Sequence, residues 1–160
     1  MSHDLLREGE ITLPFDPGSG SGDARLMFVG KIRSPWRDRA TCPHNLREAR
    51  ERGGGGIVEV DAAFRRALMG LESKKHIVLL YWLHEARRDI IVARPRHADK
   101  TSGVFSLRSP VRPNPIGLAT VRVLGLDMEL GRIEIDAIDC LDGTGLLDIK
   151  PYLPTVDAVG

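Results

Sequence analysis

The chain has 160 residues, 42% of them hydrophobic and 28% charged, with a net charge of +1. This is the composition of an ordinary globular protein, long enough to bury a core without disulfides or a metal to hold it. No apolar run approaches the roughly 20 residues of a membrane span. The start, MSHDLLREGE, has no basic stretch followed by an apolar one, so no secretory leader is expected and the cytoplasm is the default compartment. Cys42 and Cys140 are too few for a disulfide framework and stand in no Cys/His cluster, so no metal is expected. The near-zero net charge conceals an uneven distribution: seven Lys or Arg against two Asp between Ala86 and Arg112, and eight acids against two bases from Asp127 to Gly160. A second basic group, Lys31, Arg33, Arg37 and Arg39, lies near the start. Basic blocks like these can be solvated faces or surfaces for phosphates.

In chain order, residues 1–25 carry Pro14, Pro17 and the run GSGSGD, which reads as a flexible leader with one short strand at Glu10–Leu13. Residues 26–160 read as one domain. Leu26–Arg33 is β-rich and ends at the turn signal Ser34-Pro35. Pro43–Arg52 is a good helix former, halted by Gly53–Gly56; no Lys-Ser/Thr follows those glycines, so a P-loop is rejected. Ile57–Val60 reads as a strand, and Asp61 as the N-cap of a short helix over Ala62–Met69. His76–His84 (HIVLLYWLH) is the strongest buried-strand candidate, and Asp89–Ala93 is another strand. Ile116–Leu126 and Gly131–Cys140 alternate apolar and polar residues with period two, which predicts an antiparallel hairpin with one wet side. No β-α-β-α series and no GxGxxG after a strand is present, which excludes a doubly wound nucleotide-binding fold. Many β segments with short helices predict a mainly β protein, a single antiparallel β-barrel.

Between these strands lies Arg108–Gly117, RSPVRPNPIG, with three prolines in ten residues. Proline fixes φ and removes a donor, so this is a rigid loop and not a central strand. Rigidity would hold Arg108, Arg112 and Asn114 in place before a ligand arrives, and an arginine fork suits carboxylate or phosphate. The alternative is a barrel-closing turn whose arginines pair with the acidic tail. Asp142-Gly143 predicts a tight turn, and Asp142 could also accept hydrogen bonds from a ligand. His84 and Glu85, followed by Arg87-Arg88, fall at a strand mouth, where function concentrates.

Five blocks in order carry a family resemblance: VGKIRSP (29–35), GLE followed by His76, LYWLH (80–84), GVFSLRSPVRPNPIG (103–117) and LDGTGLLDIKPY (141–152). Together they resemble the TrmO family of tRNA N6-methyltransferases over about four-fifths of the chain. The resemblance implies a single-sheeted barrel, a homodimer with S-adenosylmethionine near the subunit interface, and methyl transfer to N6 of threonylcarbamoyl-adenosine beside the tRNA anticodon. It implies cofactor contacts at Pro43, His44, Asn45, His84, Glu85, Arg108, Leu118, Asp142, Gly143, Thr144 and Gly145. His84 and Asp142 are the candidate bases, and Arg87, Arg88, Arg96, Arg112 and Asn114 the candidate RNA contacts. The chain departs from the family's pattern in three places: Pro43-His44-Asn45 replaces Pro-Arg-Gln, Gly145 replaces a proline and predicts a looser loop, and Lys74-Lys75 replaces Phe-Ser. The rival readings are a non-catalytic S-adenosylmethionine- or RNA-binding regulator on the same barrel, and adenosyl transfer to a small anion.

Overall fold

The computed structural model describes residues 6–19, 24–96 and 98–160. His97 and the part of the leader's glycine run after Ser19 lie outside the described residues. The protein is mainly β. Its strands are β1 (Ile11–Thr12), β2 (Gly30–Arg33), β3 (Gly56–Val60), β4 (His76–Trp82), β5 (Ile90–Ala93), β6 (Ser102–Gly103), β7 (Ile116–Asp127), β8 (Arg132–Ile135) and β9 (Thr144–Pro151). Its α-helices are α1 (Leu46–Glu51) and α2 (Pro154–Asp157). The chain divides into two compact units, residues 26–83 with 117–160, and residues 1–25 with 84–116.

The larger unit is an antiparallel sheet in the order β2-β3-β8-β7-β4-β9, and β9 pairs back onto β2 through Gly30↔Leu146, Lys31↔Gly145 and Ile32↔Thr144. That return leaves the sheet no free edge, which removes the hazard of unpaired strand backbone. Its interior comes from alternate residues of each strand. On β4, Ile77, Leu79 and Tyr81 are buried while Val78, Leu80 and Trp82 are half-buried, so the HIVLLYW run buries one face fully. With Ile32, Val58, Val121, Ile133, Ile135 and Leu146 they form one core, and each large aliphatic side chain buried there contributes roughly 1.5–3 kcal/mol. The outer face carries a cross-strand ladder of alternating charge: Lys31 stands opposite Glu59, Glu59 opposite Arg132, and Arg132 opposite Asp127. Opposed charges in register add a little to each pairing.

The predicted hairpin of β7 and β8 is present, with a register shift between Val123 and Gly125. β8 is shorter than expected, because the chain leaves the ladder after Ile135. The helix predicted over Pro43–Arg52 spans only Leu46–Glu51, because Asn45 caps it: its side chain accepts from Glu48 N at 2.9 Å. The segment Ala62–Leu68 is a 3-10 helix, and Asp61 makes no side-chain cap there. The β-rich run Leu26–Arg33 is strand only from Gly30; Leu26, Met27 and Phe28 are exposed.

The smaller unit corrects one expectation. The resemblance implied one sheet, but β1, β5 and β6 form a second, three-stranded one. The leader, over its described part, joins it. Ile11 pairs with Val92, Glu10 Oε1 accepts from Arg94 N at 3.0 Å, and the Arg7 guanidinium donates to Arg94 O at 2.7 Å. Ile90, Ala93 and Val104 form its core.

One half-buried charge gives the larger unit a pH signature. Burial acts to raise the Asp136 carboxyl, but the Arg50 guanidinium at 2.8 Å and the Arg122 N–H at 2.7 Å outweigh it and hold the group below its ordinary value of 3.8. A depressed carboxyl contributes stability above its unfolded pKa, and the contribution is lost as pH falls through the folded value. Asp136→Asn is therefore expected to be less stable than the wild type at neutral pH. The gap should close as the pH drops below 3.8, which thermal melts across an acid series will read; a gap constant with pH would refute the assignment.

Candidate functional site

In the larger unit two loops interlock at one end of the closed sheet. The first follows β2, from Ser34 to Asn45; the second precedes β9, from Ile138 to Gly143. The Asp142 carboxylate accepts from Ser34 N at 3.1 Å and from the Arg37 guanidinium at 2.6 Å, with Arg33 at 3.8 Å. The Ser34 hydroxyl donates to Cys140 O at 2.7 Å. Trp36 is buried; its indole N–H donates to Ile138 O at 2.7 Å, and its own carbonyl accepts from Asp142 N at 2.8 Å. The Arg52 guanidinium lies 4.4 Å over its ring. A Cβ on Gly54 would stand 2.3 Å from the indole, so glycine is what lets the ring seat there.

The predicted turn at Asp142-Gly143 is present. Gly143 has φ +79°, the left-handed region that favours glycine. Its N–H donates to Ile32 O at 2.8 Å, and the Thr144 N–H and hydroxyl both reach Leu141 O, at 3.2 and 2.7 Å. The three amide protons of Asp142, Gly143 and Thr144 are thus spent inside the fold, and space stays open beside Gly143. Gly145 is a correction. It is no looser loop residue but part of β9, paired with Lys31 and Trp82. A Cβ on it would meet the Phe28 ring at 2.7 Å, so the absent side chain makes room for an exposed aromatic ring.

The first triplet is also partly used by the fold. Pro43 is buried, whereas His44 and Asn45 are exposed. His44 N donates to Glu48 Oε2 at 2.9 Å, reciprocating the Asn45 cap on Glu48 N. The His44 N–H comes first among the groups that hold the exposed Glu48 carboxyl below its ordinary value. Leu118, on β7, is exposed. Its neighbour Gly117 is buried beneath Tyr81, where a Cβ would fall 2.1 Å from the ring. Tyr81 in turn donates its hydroxyl to Asp139 Oδ1 at 2.8 Å. Sequence reasoning singled out neither Tyr81 nor Asp139, nor Ser34 and Trp36. The one signal available was their place in or beside the blocks LYWLH, VGKIRSP and LDGTGLLDIKPY.

The remaining predicted residues lie in the smaller unit. The RSPVRPNPIG loop is rigid as its prolines require, and its arginines do much of the bracing. Arg112 donates to Leu107 O, Ser109 O and Val104 O at 3.0–3.2 Å. Arg88 donates to Pro113 O at 2.7 Å and to Asn114 Oδ1 at 3.3 Å. Arg87 holds Asp89 at 2.6 Å, and this bond comes first among the causes that lower the Asp89 carboxyl. Arg108 and Asn114 are exposed. Arg96 lines an open hollow of about 680 Å³ with Arg7, Arg94 and Asp99. His84 and Glu85 are exposed, 3.8 Å apart. Arg112→Ala is expected to cost roughly 1.5–3 kcal/mol locally, the range for hydrogen bonds from a charged donor. Amide exchange should accelerate over residues 104–112 and stay unchanged at β2, β3 and β9; uniform acceleration would refute a local brace.

Among the described residues no group of three or more His, Cys, Asp or Glu gathers as a metal set, and no helix is long and apolar enough to cross a membrane.

Comparison with known proteins gives the setting of these residues. Residues 31–158 match the family model described as tRNA-methyltransferase O N-terminal domain. VirR of Rhizobium radiobacter is 46% identical over 151 residues, 94% of this chain and 82% of the relative. A protein of Archaeoglobus fulgidus named S-adenosyl-L-methionine-binding protein is 34% identical over 134 residues, 84% of this chain and 93% of the relative. The crystal structure of TrmO from Pseudomonas aeruginosa superposes with a TM-score of 0.67 at 34% identity, covering 86% of this chain. This chain spans 60% of that solved chain.

Proposed function

Because the chain belongs to the tRNA-methyltransferase O N-terminal domain family, we propose that it binds S-adenosylmethionine and transfers its methyl group to N6 of threonylcarbamoyl-adenosine at position 37 of tRNA. The observation that carries the reading is the interlocked pair of loops around Asp142, in a chain whose relative of 93% coverage is named for S-adenosyl-L-methionine binding. The closed strand order supports reading the larger unit as a barrel.

The residues fit such a ligand chemically. The larger unit offers the carboxylate of Asp139 for a cationic group, exposed Phe28 and Leu118 for an apolar ring, and open space beside Gly143 for close approach. The proposed cofactor positions there are Pro43, His44, Asn45, Leu118 and Asp142 to Gly145. In the smaller unit they are His84, Glu85 and Arg108, with Arg87, Arg88, Arg96, Arg112 and Asn114 as proposed RNA contacts. Bound S-adenosylmethionine supplies a methyl group on a sulfonium, open to in-line displacement. The chain's task is then to align the groups and exclude water, and alignment alone can be worth roughly 7–11 kcal/mol. Loops braced before any ligand arrives suit that task. Of the two candidate bases, His84 is the better suited to hold a proton, since the Asp142 carboxylate is already engaged by Ser34 N and Arg37. We further propose a cytoplasmic homodimer with the cofactor near the subunit interface.

The test is calorimetric titration with S-adenosylmethionine, then incubation with modified tRNA and nucleoside mass spectrometry. Binding with a gain of one methyl on the modified adenosine is the expected result. Binding without that gain would favour a regulatory protein, and release of free methionine without RNA would point to other chemistry.

A further inference from the structure

Asp139 is a half-buried carboxylate in the second of the interlocked loops. One oxygen accepts from the Tyr81 hydroxyl at 2.8 Å. Its carbonyl accepts from the Cys42 thiol at 3.4 Å. Among the described residues no Lys, Arg or His forms an ion pair with it, in contrast to Asp136 and Asp142, which hold Arg50 and Arg37. A carboxylate held by the fold without a fixed cation is open to a cationic ligand. Its field is felt nearby: after burial, it is the next cause that pushes the Cys42 thiol up to about 11, and it also adds to the rise at buried Cys140.

The position is built with care. Tyr81 is only 3% exposed, and its ring can lie where it does only because residue 117 is glycine. The hydroxyl therefore fixes the carboxylate from a rigid base. Cys42 directly precedes Pro43, Gly117 directly precedes Leu118, and Asp139 stands three residues before Asp142. The uncompensated charge is thus attached to each of the segments proposed above to touch the cofactor in this unit.

Resting on that reading, we propose that Asp139 is the counter-charge for the sulfonium of the methyl donor, with Tyr81 as its positioning residue. The donor is cationic at sulfur and the demethylated product, S-adenosylhomocysteine, is neutral there. A fixed carboxylate favours the first over the second, so it draws in fresh donor and lets spent product leave. Because positive charge disperses as the methyl departs, this attraction is stronger before transfer than during it. It serves affinity and turnover, not the bond-making step.

The experiment titrates wild type and Asp139→Asn with S-adenosylmethionine and with S-adenosylhomocysteine. Asparagine keeps the shape and can still accept from Tyr81. The substitution is expected to weaken donor binding roughly tenfold or more and product binding less than about threefold. KM for the donor should rise while single-turnover methyl transfer at saturating donor does not fall. Tyr81→Phe keeps the charge and the ring, so it should shift the donor-to-product ratio in the same direction by less. Equal losses for both ligands, or an unchanged ratio, would overturn the proposal while leaving the methyltransferase reading intact. Wild type binding neither ligand would overturn both. Should Asp139→Asn fail to fold, the wild-type ratio measured at low and high salt decides: a preference for donor that does not fall as salt rises overturns the counter-charge.

Discussion

Trp36→Ala is expected to be the most damaging single truncation at the interlocked loops, costing about 3–5 kcal/mol, the range for removing a buried Trp side chain. The indole fills the space left by Gly54, lies under the Arg52 guanidinium and donates to Ile138 O at 2.7 Å. Alanine leaves a cavity and strips that buried carbonyl of its partner. The effect should reach function through the main chain, because Trp36 O accepts from Asp142 N at 2.8 Å. Urea titrations should show a lower midpoint with an unchanged slope, the mark of lost stability without a change in the surface exposed. Donor affinity should fall under conditions where the variant is still folded. Trp36→Phe separates the parts: it keeps most of the ring and loses the N–H, so it should cost only the roughly 1–3 kcal/mol of an unsatisfied carbonyl. A phenylalanine as damaging as alanine would mean the hydrogen bond, not the filled volume, holds the loops.

Gly117→Ala is the second. One added carbon would sit 2.1 Å from Cε2 of Tyr81, far inside van der Waals contact, and the obstacle is a buried ring with no slack. Overpacking of this kind costs roughly 1–3 kcal/mol and sometimes more. The ring must move, and with it the hydroxyl held by Asp139. The check is a double-mutant cycle in thermal stability. In a Tyr81→Ala background the same glycine substitution should cost little, because the clash is gone, and the two penalties should not add. Additive penalties would place the role of Gly117 in its backbone instead.

The features legible in the sequence are those with local causes. Period-two alternation found β7 and β8. Three prolines found the rigid loop, and Asp142-Gly143 found its turn. The cap was legible too, since Asn45 and Glu48 stand at the spacing of an N-terminal signal, and reading it would have trimmed the helix to its observed start. What stayed hidden depends on partners distant in the chain. Arginine is the same letter whether it waits for a phosphate or, like Arg112 and Arg88, spends its fork on carbonyls of its own loop. Glycine at 145 looked like slack only because nothing local announces the Phe28 ring above it. The Tyr81–Asp139 bond joins residues 58 apart, and no spacing rule reaches so far. The leader's short strand was legible at Glu10–Leu13, but its partner was not, since Ile11 pairs with Val92 of β5, far along the chain.

The return of β9 onto β2 also has a meaning in time. Gly30 and Leu146 are neighbours in the finished sheet yet stand far apart in the sequence. During synthesis β2 and β3 can pair early, but the other edge of β2 has no partner until β9 has been made. Contacts of such long span bring their reward only after the chain entropy of closing the loop has been met. The same pairing that leaves the native sheet without an edge therefore leaves the nascent one with an edge until β9 is made. Until residues 144–151 arrive, that edge is open to pairing with another chain.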